Sequence, residues 1–191
     1  MSLSLHTLPI ELIYRIFDHI DNEILVLSCR DICKRLNNIL DTYNQYQTFT
    51  TLELQWYQIG DKRTKHLANV LRGNKTLTTI NLYGNGISDE GAKYLANALH
   101  ENQTLTTLYL GENLISNEGA KQFANTLQQN KTLTKLSLYG NNIGDEGAEY
   151  LANALQQNKT LIILDLTSNN ISDKAQQRIN TILENSERMK R

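Results

Sequence analysis

The strongest constraint in this sequence is a period of 28 residues: Leu77, Leu105, Leu133 and Leu161 open four segments at that spacing, and Phe49 opens a fifth, more degenerate one. Self-similarity at such a period marks units that cannot bury their apolar side alone and must stack on one another. The second unit sets the pattern with Leu77, Ile80, Leu82, Asn85 and Ile87. It recurs as Leu105, Leu108, Leu110, Asn113 and Ile115, then as Leu133, Leu136, Leu138, Asn141 and Ile143, and finally as Leu161, Leu164, Leu166, Asn169 and Ile171. The first unit supplies Phe49, Leu52, Leu54 and Ile59, with Tyr57 in place of the asparagine.

Each unit contains two local periodicities. Residues two apart share one side of a strand, so Ile80 and Leu82 are expected to face inward while Thr79, Asn81 and Tyr83 face out. The asparagine sits where the chain leaves the strand. There a buried amide can satisfy backbone groups and bridge to the adjacent unit, so stacked asparagines are expected to form a ladder. The second half of the unit reads as helix, with Ala92, Leu95, Ala96 and Leu99 at helical spacing. Asp61, Asp89, Asn117, Asp145 and Asp173 share one position at which a side-chain oxygen can cap free N–H groups. Gly91, Gly119 and Gly147 are expected to let the helix lie close to the strand layer. Asn74, Asn102, Asn130 and Asn158 follow the helix, where a left-handed closing residue is tolerated. The same asparagines head Asn-x-Thr triplets that read as glycosylation acceptors, but their fixed phase is explained by helix termination.

These units resemble the ribonuclease-inhibitor type of leucine-rich repeat, also found in NOD-like receptors and Ran GTPase-activating proteins. The resemblance covers about Phe49 to Arg188 and implies an α/β fold: a right-handed solenoid with parallel strands on the concave side and helices on the convex side. Curvature has a physical source, because strands stack at about 4.8 Å whereas helix axes need roughly 10 Å. In the last unit Gln176 and Asn180 replace the alanines at Ala92 and Ala96, while Ile179 and Leu183 keep an inward stripe. A polar outer face suits a terminal unit, so the array is expected to end there.

Residues 1–48 share no repeat with the array, which spans 49–191, and are expected to form a small all-α head. Leu8-Pro9-Ile10-Glu11 opens a helix with the chain's only proline in its first turn. Leu12, Ile13, Ile16, Phe17 and Ile20 then form an apolar stripe. Together with Ile32-Cys33-Lys34-Arg35-Leu36, this head resembles an F-box, although Leu36 stands where that family usually has tryptophan. The resemblance implies docking through Leu8, Pro9, Ile16 and Phe17 onto the small adaptor subunit of a cullin-type ubiquitin ligase. The alternative is an amphipathic cap that shields the first unit.

The formal net charge is −1, with 20% charged residues, so neither a nucleic acid nor an anionic membrane is expected as a partner. No run approaches the roughly 18–20 apolar residues of a membrane span. The first residues have no basic leader, and Glu11 and Arg15 interrupt any apolar run. Cys29 and Cys33, the only cysteines, suit buried thiols better than a zinc site. A monomeric protein of the cytoplasm or nucleus is expected.

Enzyme chemistry finds no foothold. His6, His19, His66 and His100 are scattered, and none pairs with a nucleophile at a recognisable spacing. Gly84-Asn85-Gly86 belongs to the turn after a strand and not to a phosphate-cradling loop. No metal or cofactor is expected, and a protein partner on the concave face is.

Comparing the units with one another locates that face. The frame barely changes, as Asp89-Glu90-Gly91-Ala92 and Asp145-Glu146-Gly147-Ala148 illustrate, whereas the outward strand columns vary most. One column reads Glu53, Asn81, Tyr109, Ser137 and Asp165; another Thr51, Thr79, Thr107, Lys135 and Ile163; a third Gln55, Tyr83, Gly111, Tyr139 and Thr167. Aromatics among threonines and carboxylates are what protein interfaces favour at hot spots. Trp56, Tyr83, Tyr109 and Tyr139 are therefore the expected anchors. Glu53, Glu112 and Asp165 would set register and charge, and Lys135 belongs to the same partner-binding face. Cross-strand packing of tyrosines that need no ligand is the competing explanation.

Overall fold

A computed structural model describes residues 3–4 and 50–188. Strand β1 (Leu3–Ser4) is followed by β2 (Thr51–Glu53), α1 (Gly60–Gly73), β3 (Thr79–Asn81), α2 (Asp89–Glu101), β4 (Thr107–Tyr109), α3 (Asn117–Leu127), β5 (Lys135–Ser137), α4 (Asp145–Gln157), β6 (Ile163–Asp165) and α5 (Asp173–Arg188). The six strands form one parallel sheet in chain order, with Leu52, Ile80, Leu108, Leu136 and Leu164 side by side. Each helix packs on the next, giving the expected α/β solenoid with strands on one face and helices on the other, but β1, in the head expected to be all-α, instead adds a strand to the sheet beside β2. Leu8, Pro9, Ile16, Phe17 and both cysteines lie outside the described residues, as does Phe49.

The core lies between the two layers. Ile80, Leu82, Leu108, Leu110, Leu136 and Leu138 from the strand side are fully buried against Leu95, Phe123 and Leu151 from the helices. Each such side chain contributes about 1.5–3 kcal/mol by leaving water. Stacking alone would bury backbone amides without partners, and the asparagines resolve this. The Asn113 Oδ1 accepts from the N–H groups of Asn85 (3.1 Å) and Ile87 (3.0 Å) in the preceding unit. Its Nδ2 donates to the carbonyls of Leu82, Leu110 and Gly111. Asn85, Asn141 and Asn169 repeat the arrangement, so the expected ladder runs through the solenoid.

A second ladder replaces the left-handed closures expected after the helices. Asn74, Asn102 and Asn158 have extended backbones, with φ near −74° and ψ between 123° and 133°. Asn102, Asn130 and Asn158 are buried because each donates from Nδ2 to a carbonyl of the preceding unit's last helical turn, namely Leu71, Leu99 and Leu127. Their Oδ1 atoms accept from the backbone that starts the next strand. The amide thus links two units, and a left-handed turn could not aim it that way.

Capping also crosses between units. The position shared by Asp61, Asp89, Asn117 and Asp145 does cap a helix, but the helix belongs to the following unit. Asp89 accepts from the Ser116 N–H (2.7 Å), the Ser116 hydroxyl (2.6 Å) and the Gly119 N–H (2.9 Å) at the start of α3. Asp61 does the same for Ser88 and Gly91, whereas Asn117 meets Gly144 and Gly147. Aspartate therefore faces serine, which supplies an extra hydroxyl to the charged acceptor, and the neutral amide faces glycine. The glycines at 91, 119 and 147 make room for this contact, since a Cβ there would lie 2.5 to 2.7 Å from the capping oxygen.

The residue that ends each strand turn, at positions 56, 84, 112, 140 and 168, is left-handed in every unit. Glycine fills it at Gly84 (φ 67°) and Gly140 (φ 60°), but Trp56 (φ 65°), Glu112 (φ 52°) and Ser168 (φ 58°) hold it at a steric cost.

Two consequences can be measured by urea unfolding. Asn113→Ala should cost about 3 kcal/mol or more, because it strands several buried backbone groups at once. Glu112→Gly should instead raise stability by about 1 kcal/mol, by relieving the left-handed strain.

Candidate partner-binding face

The outward side chains of the strands and of the turns that follow them define the candidate site. The ladder fixes its geometry: consecutive units place equivalent residues one strand apart, roughly 4.8 Å. Side chains long enough to cross that gap can therefore meet, and three aromatics do. The Trp56 indole meets Tyr83 edge-on, with centroids 5.3 Å apart and planes at 71°. Tyr83 in turn stacks with Tyr139 at 6.3 Å and 21°, although their strands are separated by β4. Gly111 makes this possible. It stands between the two tyrosines in their column, and a Cβ there would come within 2.7 Å of the Tyr83 ring. The glycine between two tyrosines is visible in the sequence, but its role in letting them touch is not. Trp56 likewise lies across Gly84, where a methyl group would overlap the indole.

Tyr109 does not join this strip. It belongs to the neighbouring column, and the Lys135 Nζ sits 4.9 Å above its ring centre. The expected four-residue anchor therefore resolves into a Trp56–Tyr83–Tyr139 cluster and a separate Tyr109–Lys135 pair. Trp56 is 66% exposed, so its ring presents a broad apolar surface to solvent, while the three tyrosines are half-buried.

The carboxylates are arranged around the cluster. Glu112 is exposed and reaches over Gly140. The Tyr83 pKa is raised above the ordinary tyrosine value, first by desolvation and then by the negative charge of Glu112. Glu53 accepts from the Gln55 amide at 2.6 Å. Asp165 accepts from Ser137 Oγ (3.1 Å) and Thr167 Oγ1 (2.7 Å). The ion pairs among the described residues, Arg72–Glu101, Lys121–Glu118 and Arg178–Glu149, lie on the helices and engage none of these three.

The helical layer has a repeated polar pattern of its own. Tyr94 and Tyr150 donate to Glu90 and Glu146, each at 2.8 Å, and lie under Lys65 and Lys121. Acceptance of the phenol hydrogen by the glutamate raises both pKa values. His100 bonds Gln129 at 2.8 Å, and burial lowers the His66 pKa. Among the described residues no group of three His, Cys, Asp or Glu side chains is placed to hold a metal ion. No helix among them is long and apolar enough to cross a membrane.

Comparison with known proteins agrees with this architecture. A family model described as a leucine-rich repeat matches residues 73–96, 101–124, 129–152 and 157–175. A search of curated proteins by sequence finds no match. Among solved structures, actin-binding site 2 of leiomodin-1 is similar with a TM-score of 0.68 and 22% identity, covering 77% of this chain and 86% of that one. The tropomodulin C-terminal domain from Caenorhabditis elegans is similar with a TM-score of 0.66 and 16% identity, covering 81% of this chain and 95% of that one. At these identities the likeness concerns fold. Residues 73–175 are leucine-rich repeats, set in a longer parallel array of strand and helix.

Proposed function

We propose that the chain works by binding and not by chemistry, holding a protein partner on its strand face around Trp56, Tyr83 and Tyr139. The observation that carries this reading is Trp56: a large apolar ring, 66% exposed, kept in a left-handed backbone conformation that glycine fills elsewhere in the array. Strain of this kind persists where a side chain is needed at that point. Packing alone is a poor account of it, because the ring stays 66% exposed and meets one aromatic, Tyr83, among the described residues. A leucine-rich-repeat domain of similar fold, that of leiomodin-1, is described as an actin-binding site, which supports protein as the class of partner.

In the finer form of the proposal, the chain recruits a target to a cullin-type ubiquitin ligase. The F-box-like head would dock on the ligase adaptor through Leu8, Pro9, Ile16 and Phe17, and the chain's contribution to reaction would be proximity alone. A second reading treats the array as a free-standing binding module with the head as a cap. The pairing of Leu3 and Ser4 with Leu52 and Glu53 favours it, because it extends the sheet over the edge of β2.

Two pull-downs test these readings separately. Trp56→Ala with Tyr83→Ala should reduce captured partner at least tenfold without unfolding the array; undiminished capture would remove the strand face from consideration. Co-purification with the cullin adaptor subunit, lost on Pro9→Ala with Phe17→Ala, would establish the ligase role. Absence of a complex at micromolar protein would leave the free-standing module.

A further inference from the structure

We infer that the segment held on the strand face is basic: an arginine-bearing stretch of a partner protein, with guanidinium groups lying on Trp56 and pairing with Glu112. The inference rests on the reading of this face as partner-binding and adds the chemistry of what it takes.

Charge is the first support. The outward strand and turn positions bear Glu53, Glu112 and Asp165 against a single cation, Lys135, which is already held over Tyr109. The hydrogen bonds to Glu53 and Asp165 come from neutral groups and not from cations. Although the whole chain is close to neutral, this surface is locally acidic. Nucleic acid and anionic membrane would be repelled there, and a cationic segment would be drawn in.

Geometry is the second support. Trp56 meets Tyr83 at 71° and stays 66% exposed, so ring surface is left for a planar cation. Glu112, two units further along at the same repeat position, carries its carboxylate over Gly140, and its negative charge acts on Tyr83. An exposed ring and a carboxylate two units apart suit a basic segment lying across the strands, because guanidinium groups stack on aromatic faces and hydrogen-bond carboxylates through their fork. Lys135 over Tyr109 is the same recognition made within the chain, one column away.

Backbone conformation is the third. Trp56 and Glu112 occupy one repeat position, and both are left-handed where Gly84 and Gly140 meet the requirement without strain. The two side chains proposed to hold the arginine are thus two of the three that replace glycine there.

Trp56 is the only tryptophan of the chain, so its emission reports on the site directly. The full chain would be titrated with nona-arginine and, separately, with nona-glutamate. Nona-arginine should give a saturable change in emission, at least tenfold weaker in Glu112→Gln and weaker again as salt is raised. Glu101→Gln, on the helical layer, should bind like the unaltered chain. No saturable change below 1 mM, equal response to nona-glutamate, or equal weakening by the Glu101 variant would each overturn the inference. If nona-arginine fails while Trp56→Ala with Tyr83→Ala still abolishes partner capture, the basic segment is wrong and the face stands. If neither variant set has an effect, the face itself is wrong.

Discussion

Buried backbone amides between strand and helix govern this architecture. Each unit is too short to pair its own polar groups, and the apolar interior offers no water in exchange. The partners come from the neighbour: Asn113 serves the backbone of the second unit, Asn102 that of the first, and Asp89 the opening of α3. Apolar stacking supplies the driving force, but these bridges fix how far one unit lies from the next and in what register. Every outward side chain inherits its position from them. The contact of Tyr83 with Tyr139 across an intervening strand is possible only because that register is kept through two joints.

Much of this could be read in the sequence. The leucine positions gave the strands and the inward faces, because side-chain direction in a strand alternates strictly and any error would expose the core. The asparagine ladder followed from the same reasoning. What periodicity cannot convey is which copy of a repeated residue its partner lies in. Asp89 and Ser116 recur at fixed phases, so a contact within one unit and a contact across two are equally compatible with the spacing. For the same reason Asn102 reads as a helix terminator when its amide is a cross-link. Apart from Leu3 and Ser4, the head lies outside the described residues, so its docking role rests on resemblance.

The candidate face was legible in part. Variation among the outward columns marked Trp56, Tyr83 and Tyr139, and the structure brings these together. Tyr109 reads as one of them because it is aromatic and outward, but column membership decides contact, and its column delivers it to Lys135. The left-handed backbone at Trp56 and Glu112 could have been suspected from their alignment with Gly84 and Gly140, since a glycine recurring at one phase marks a conformation that other residues adopt at a cost.

The cross-unit caps bear on how such a chain can change length. Their donors and acceptors lie 27 and 30 residues apart, and those of the asparagine ladders 26, 28 and 31. A tandem copy of one whole turn would therefore arrive with both of its seams already matched, provided aspartate is followed by serine and asparagine by glycine. Insertion of a single residue would offset every bridge across that seam at once. Growth by complete turns is thus the change that the bonding scheme tolerates most readily.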